Sequence, residues 1–483
     1  MRKYLGHWWT PSFPNERVTG TLTLRTREGP TLDLITDIAK KPDGSLPGML
    51  QRDALSAQAV RAPIIHGQAY SMECFTLYDG FIRYSNRGMG AASTASLHFN
   101  HGFQGACIED PASLPVTHIR MRYPGVTAWL DVRQFVVNYG NGQKQVCVSH
   151  EMREPLVFRI DDRRQLILGW GRSGPGWSRV ETRISMRVLP WLEIDYDVPV
   201  TPEEACDDAS VVAELLSMFL GVSTVARQIR MLSDQCTFQL KDETYRTELR
   251  ALGAQFSLPQ SFRDWTPDDV LIPWNMVCED FESFLQRWFG LRQRCWDAIV
   301  PYLSRQRSPA PFAGGRFFDL AAIAESLHVH LCPGDISFPD DEARALCEKV
   351  LSFIPKDRRR NFWNALRWVN ALTYKERLER LLQRFPTLTK DVIGDAKEQA
   401  AFCKLVKDLR HTEAHRLKTR NQRDVSGRTH IRIAAKLKVI LDAWILAEIG
   451  LPTSAIEDAM RNTRRYWYYA SRESWPWKIG GPH

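Results

Sequence analysis

The stretch Asp408-Leu409-Arg410-His411-Thr412-Glu413-Ala414-His415-Arg416 decides how the second half of the chain is read. It crowds an Arg, two His and a Glu into the end of a segment whose apolar spacing predicts a helix over 394–416. His411 and His415 are four positions apart and so share one helix face. Just downstream, 428–449 repeats Ile433, Leu437, Ile440, Leu441, Trp444 and Ile445 at three- and four-residue steps. That stripe is a core face rather than a cofactor site, and Gly450-Leu451-Pro452 supplies its cap and stop.

Working outward, the spacing predicts further helices over 277–303, 317–331, 340–353, 357–385 and 453–461. The first 200 residues have a different texture. Val18-Thr19-Gly20-Thr21-Leu22-Thr23-Leu24 alternates with the period of a half-buried strand, and 31–35 is its hairpin partner across Arg27-Glu28-Gly29-Pro30. Further strands are expected over 74–78, 117–123, 128–137, 156–160, 166–169, 180–188 and 192–196, punctuated by Gly, Pro, Asn and Asp. Thr201-Pro202-Glu203-Glu204 opens a helix that runs to about 221, with its hydroxyl cap, early Pro and first-turn acids. A last strand pair is expected within 229–240, and 259–273 reads as a connection. The fold class is therefore α+β and multidomain. A β-rich sandwich or barrel-like domain over 1–260, carrying the helix near 203–221, precedes an all-α helical bundle over 261–483. The bundle ends in an aromatic tail (Tyr466, Trp467, Tyr468, Tyr469, Trp475, Trp477).

Composition narrows the function classes. The 483 residues are 44% hydrophobic and 25% charged, which excludes disorder as the main state. The ten cysteines contain no Cys-x-x-Cys, which removes the usual zinc-ribbon signature. The opening MRKYLGHWWTPSF lacks the apolar core of a secretory signal, and no run of about 18 apolar residues exists. A cytoplasmic protein with no membrane span is expected. The formal charge of +8 is uneven: residues 351–430 hold 19 Lys and Arg against 9 Asp and Glu, more than the whole excess. A local basic field of this kind suits a polyanion such as nucleic acid, although a solvated basic face has the same composition.

Most chemical motifs are missing. There is no Gly-rich loop followed by Lys-Ser/Thr, and no Gly-x-Ser-x-Gly. His328-Val329-His330 closes an apolar helix, where packing or capping is its ordinary use. Three readings of 408–416 compete. His-x-x-x-His is a zinc spacing, but Thr412 stands where metalloproteases place Glu, and no third ligand is visible. A helix end bearing cations is stabilised by the helix dipole and needs no further role. The third reading is RNA cleavage without a metal. That reaction needs a base for the ribose 2′-hydroxyl, an acid for the leaving 5′-oxygen and a cation on the phosphorane. Histidine serves either proton job near neutrality, and an Arg fork holds two phosphate oxygens.

At these residues the sequence resembles the HEPN superfamily, whose ribonucleases carry an Arg, a polar residue, three to five others and then a His. Here these are Arg410, His411, Thr412-Glu413-Ala414 and His415. Across nearly its whole length the chain is similar to the ApeA family of bacterial anti-phage, abortive-infection proteins. That likeness rests on Gly6-His7-Trp8-Trp9-Thr10-Pro11, on Val18-Thr19-Gly20-Thr21-Leu22, on 281–303 with Trp288-Phe289, on Arg316-Phe317-Phe318-Asp319-Leu320, and on Ala324-Glu325-Ser326-Leu327-His328. Many relatives have Asn after the motif Arg, and His411 departs from them.

The resemblance implies a β-rich N-terminal sensor or regulatory domain and a C-terminal HEPN domain. It implies a toxin-like RNase that cleaves host RNA, transfer RNA being one candidate, once a phage-derived trigger appears. It also implies a homodimer or larger assembly in which two motifs share one cleft, with Glu325 and His328 lining it. On this expectation Arg410 binds the scissile phosphate, His415 is general base or acid, and His411 orients or shares the proton transfer. Arg416, Lys418, Arg420, Arg423 and Arg428 guide the RNA backbone, and no cofactor or metal is needed. The products would be 2′,3′-cyclic phosphate and 5′-hydroxyl ends. The alternative is a non-catalytic RNA-binding scaffold in which the same helices only dimerise.

Overall fold

The computed structural model describes residues 1–25, 28–36, 61–62, 64–86, 93–131, 135–140, 145–150, 153–178, 183–253, 265–307, 312–366, 370–415 and 427–463. The chain forms two compact units, 1–216 with 224–265, and 217–223 with 266–483.

The first unit begins with seven strands: β1 (Arg2–Trp9), β2 (Val18–Leu24), β3 (Thr31–Thr36), β4 (Arg61–Ala62), β5 (Ile65–Ala69), β6 (Cys74–Asn86) and β7 (Ser93–Gln104). The expected hairpin of 18–24 with 31–35 is present, with Thr19 opposite Ile35 and Thr23 opposite Thr31. Six of these strands close into a barrel in the order β7-β3-β2-β1-β5-β6, because β6 also pairs with β7 from Phe75↔Gln104 to Asn86↔Thr94. The barrel-like alternative is thus the one realised. Its interior holds Trp8, Leu22, Leu32, Leu34, Ile65, Phe75, Leu77, Leu97 and Phe99, each almost wholly buried. The Trp8 ring lies so close to β5 that a Cβ on Gly67 would sit 2.1 Å from it, and Trp8 Nε1 donates to the Gly20 carbonyl at 3.1 Å. Only glycine lets backbone and indole approach so closely.

β7 outruns β3, and its far end carries β17 (Leu249–Gly253), paired Arg250↔Gln104 to Gly253↔His101. From there the sheet continues through β14 (Gln228–Leu232), β8 (Val116–Arg122), β13 (Arg183–Val200), β12 (Arg164–Ser178) and β11 (Leu156–Arg159). Two separate hairpins are β9 (Phe135–Gly140) with β10 (Gln145–His150), and β15 (Thr237–Leu240) with β16 (Glu243–Arg246). Three expectations are corrected. Residues 128–130 of the expected strand 128–137 belong to a short helix, α1 (Val126–Leu130), entered through Gly125 at φ 87° and left through Asp131 at φ 43°. The described part of the strand expected at 180–188, from Arg183 on, and the strand expected at 192–196 fall in one long strand, β13, while 180–182 lie outside the described residues. The two strands within 229–240 do not pair with each other; β14 joins the large sheet and β15 pairs with β16. Helix α2 (Pro202–Leu220) forms where Thr201 and Glu204 build a capping box, and the Tyr123 hydroxyl donates to the Ala209 carbonyl at 2.6 Å.

The second unit is helical: α3 (Phe281–Arg294), α4 (Trp296–Arg307), α5 (Ala313–Leu331), α6 (Asp340–Ser352), α7 (Arg359–Leu366), α8 (Tyr374–Gln383), α9 (Pro386–Val392), α10 (Ala396–His415), α11 (Gly427–Glu448) and α12 (Thr453–Asn462). The single helix expected over 277–303 is two, divided at Cys295, and 357–385 contains α7 and α8 rather than one helix. In α11 the stripe Ile433, Leu437, Ile440, Leu441, Trp444 and Ile445 is buried throughout. α5 packs on α11, α4, α10 and α8 and so lies at the centre. No described helix is long and apolar enough to cross a membrane.

Lys436 is fully buried on α11 and its ammonium donates to the Val392 carbonyl at the end of α9. Burial pushes its pKa down to about 8, against the pull of Glu398 and with the help of Arg432. Between that value and the ordinary lysine value the unfolded chain binds a proton that the folded chain does not, so stability rises with pH across this interval. Wild type should therefore gain on Lys436→Met by roughly 1 kcal/mol per pH unit above pH 8 in urea unfolding. A difference that stays constant from pH 7 to 9.5 would show that Lys436 does not carry this penalty.

Candidate functional site

Helix α10 starts at a reciprocal capping box, in which Glu398 N–H donates to Asp395 Oδ1 and Asp395 N–H to Glu398 Oε2, both at 2.9 Å. Its inward face carries Phe402, Cys403, Val406 and Leu409, all buried. Arg410 follows at the border of that face, half-buried. Helix α8 starts at a second box, Thr373 with Glu376, so Tyr374 is fixed at its first position. The Tyr374 hydroxyl donates to the Ala321 carbonyl of α5 at 3.1 Å. The Arg410 guanidinium lies 4.7 Å from the centroid of the Tyr374 ring, a cation–π distance. One helical turn beyond Ala321, Glu325 forms an ion pair with Arg410 Nη2. Three helices thus converge on one guanidinium, whose buried Nε meets no acceptor among the described residues. Burial and the Glu325 carboxylate both hold the Tyr374 phenol protonated.

The other expected residues fall as follows. His411 is exposed on α10. His415 closes α10 by its backbone, and its side chain lies outside the described residues, as do Arg416, Lys418, Arg420, Arg423 and the aromatic tail. On a regular helix five positions correspond to about 140° of rotation and a rise of about 7.5 Å between Arg410 and His415. Arg428 is exposed in the first turn of α11. Glu325 meets Arg410, whereas His328 turns into the core: it is 3% exposed, 3.1 Å from Asp335 Oδ2, and edge-on to Trp444. Burial lowers the His328 pKa despite Asp335.

Two features carry no sequence expectation. Tyr374 is the floor under Arg410, and its signal was the Thr373-x-x-Glu376 box. Glu413 and His430 approach at 3.5 Å, beside the Phe317 ring and over Gly314, where a Cβ would meet Glu413 Oε1 at 2.9 Å. The end of α10 is thus tied to the starts of α5 and α11. Among the described residues one set of metal-ligand type is present, His328, Cys332 and Asp335, with ligand atoms within 4.8 Å of one another. Arg380 already takes Asp335 at 2.6 Å, and the positive fields of Arg377 and Arg384 also reach this set.

The family model described as ApeA N-terminal domain 1 matches residues 3–288, and that described as Apea-like HEPN matches residues 318–455. The second span contains Glu325, His328, Tyr374, Arg410, His411 and His415. No curated protein and no solved structure matches the chain.

The half-exposed Arg410–Glu325 pair should show a coupling of about 0.5 kcal/mol in a double-mutant cycle of Arg410→Ala with Glu325→Ala, read by urea unfolding. Strict additivity would mean that the pair adds nothing to the fold.

Proposed function

The chain belongs to the ApeA family, a nuclease-type anti-phage family that joins this N-terminal domain to an ApeA-like HEPN domain, and from that premise we propose that it is a metal-independent endoribonuclease. The observation that carries the reading is the preorganised guanidinium of Arg410. It is stacked on Tyr374, oriented by Glu325 and still partly open to solvent. Such a fork can donate to two phosphate oxygens in place of one carboxylate, and it gains most when the phosphate acquires a second charge in the phosphorane.

On this reading Arg410 binds the scissile phosphate. His415 takes the 2′-hydroxyl proton or protonates the leaving 5′-oxygen, since an imidazole of ordinary pKa near 6.5 can serve in either state. His411, one turn before it, orients the substrate or shares the proton transfer. The attack breaks the phosphorus–5′-oxygen bond and leaves a 2′,3′-cyclic phosphate and a 5′-hydroxyl. One copy supplies few groups, so on the family likeness two copies facing each other would make a better site. Arg416, Lys418, Arg420, Arg423 and Arg428 are proposed to follow the RNA backbone, with affinity falling as salt rises. The N-terminal domain would read the trigger, and host RNA, transfer RNA among it, is the proposed substrate.

Sequencing RNA ends from cells expressing wild type, Arg410→Ala or His415→Ala tests this directly. Each substitution should lower cleavage at least 100-fold with the oligomer intact, and purified wild type should cleave in EDTA. Cleavage that survives either substitution removes the site assignment. Binding of RNA with no wild-type cleavage would favour a non-catalytic scaffold.

A further inference from the structure

The first unit contains a half-open cavity of about 230 Å³ where the start of β1 and the end of β2 face β14 and β17. Four arginines line it, Arg2, Arg25, Arg227 and Arg250, against one acid, Glu28. Glu28 is engaged with Arg25 at 2.9 Å. The rest of the lining is largely apolar, from Leu24, Pro30, Ile229 and Leu252.

The register shows how this charge accumulates. Arg120 on β8 lies opposite Arg230 on β14, and Arg230 lies opposite Arg250 on β17. Like charges at directly paired positions of a sheet are unfavourable unless something neutralises them. Two of the three have their carboxylates: Glu193 is 2.7 Å from Arg120, and Glu248 pairs with Arg230 while lying 3.9 Å from Arg120. Arg250 ends the row opposite Gln104 and has no acidic partner among the described residues. It is also partly withdrawn from water, and burial together with the nearby Arg2 charge lowers its pKa. A guanidinium in that position is an anion receptor without its anion.

We propose that this cavity binds a small phosphate monoester, between a sugar phosphate and a mononucleotide in size. Arg250 and Arg2 hold the phosphate, and the apolar floor takes the organic part. The volume lies below the span usual for drug-sized ligands, which sets the upper size. A nucleic-acid strand fits less well, because Arg120 and Arg230 next along the row already have carboxylates, so the free positive charge is local and forms no track. The readout below is binding, so it stands whether or not the helical region cleaves RNA.

Calorimetric titration of the full chain with AMP, ribose 5-phosphate, adenosine, inorganic phosphate and a 12-nucleotide RNA tests the site. AMP or ribose 5-phosphate should bind at one site. Adenosine and inorganic phosphate should each bind at least tenfold more weakly. Arg250→Ala should weaken the ester at least tenfold and Arg250→Lys less. Arg2→Ala, at an exposed strand start that leaves the fold intact, should weaken it several-fold, and unchanged melting curves exclude misfolding. No ester binding at millimolar concentration overturns the proposal. So does affinity untouched by Arg2→Ala and Arg250→Ala, phosphate binding as tightly as the esters, or binding confined to the RNA strand.

Discussion

A guanidinium held between an aromatic face and a carboxylate marks the point where three helices of the helical unit meet. Arg410 needs Tyr374 beneath it and Glu325 beside it, and these come from three helices. Each of those helices is fixed separately. α10 and α8 each start at a reciprocal capping box, and α5 is clamped in the centre by its neighbours. The Tyr374 hydroxyl then joins α8 to α5 through Ala321, in the turn that precedes Glu325. The ring and the carboxylate therefore keep their spacing through backbone-anchored contacts, which leaves the Arg410 side chain little freedom to lose on meeting a phosphate.

The barrel rests on a different constraint, a close approach that excludes a side chain. Trp8 fills the interior only because Gly67 has no Cβ, and Gly6 on the same strand meets the Gln68 carbonyl so closely that a Cβ there would be 2.2 Å away. The Gly6-His7-Trp8-Trp9 stretch that carries part of the family likeness is thus a packing device of β1 against β5. Its chemistry is that of a core, with the indole N–H satisfied by Gly20.

What the sequence disclosed follows the range of each interaction. The α11 stripe was legible because its periodicity is local and every member is buried. The break at Cys295 was not: no glycine or proline marks it, while Pro301, the residue that does look like a breaker, sits inside α4. The start of α8 is written in Thr373-Tyr374-Lys375-Glu376, but it lies inside a longer apolar pattern over 357–385 that hides both the break and Tyr374. Residues 128–130 read as the start of a strand over 128–137 but close a helix that is entered through Gly125 in a left-handed conformation. The barrel depends on β3 pairing with β7, where Asp33 lies opposite Ser96 63 positions on, and the Arg410 pair spans 85 positions, so no local pattern could reveal either. Glu325 was reachable through family likeness alone.

Two arginines illustrate how context separates structure from receptor. Arg410 already has a carboxylate, so a phosphate must displace Glu325, and the net gain is the difference between two charge-assisted contacts. That exchange favours a phosphate whose charge is rising over one at rest, which is the discrimination a transition state requires. Arg250 has no carboxylate to surrender and faces Arg2 and Arg230, so an anion there relieves repulsion as well as forming bonds. On the two proposals, the first arrangement serves chemistry and the second the binding of a ground-state ligand. The difference lies in the partner each guanidinium has before any ligand arrives.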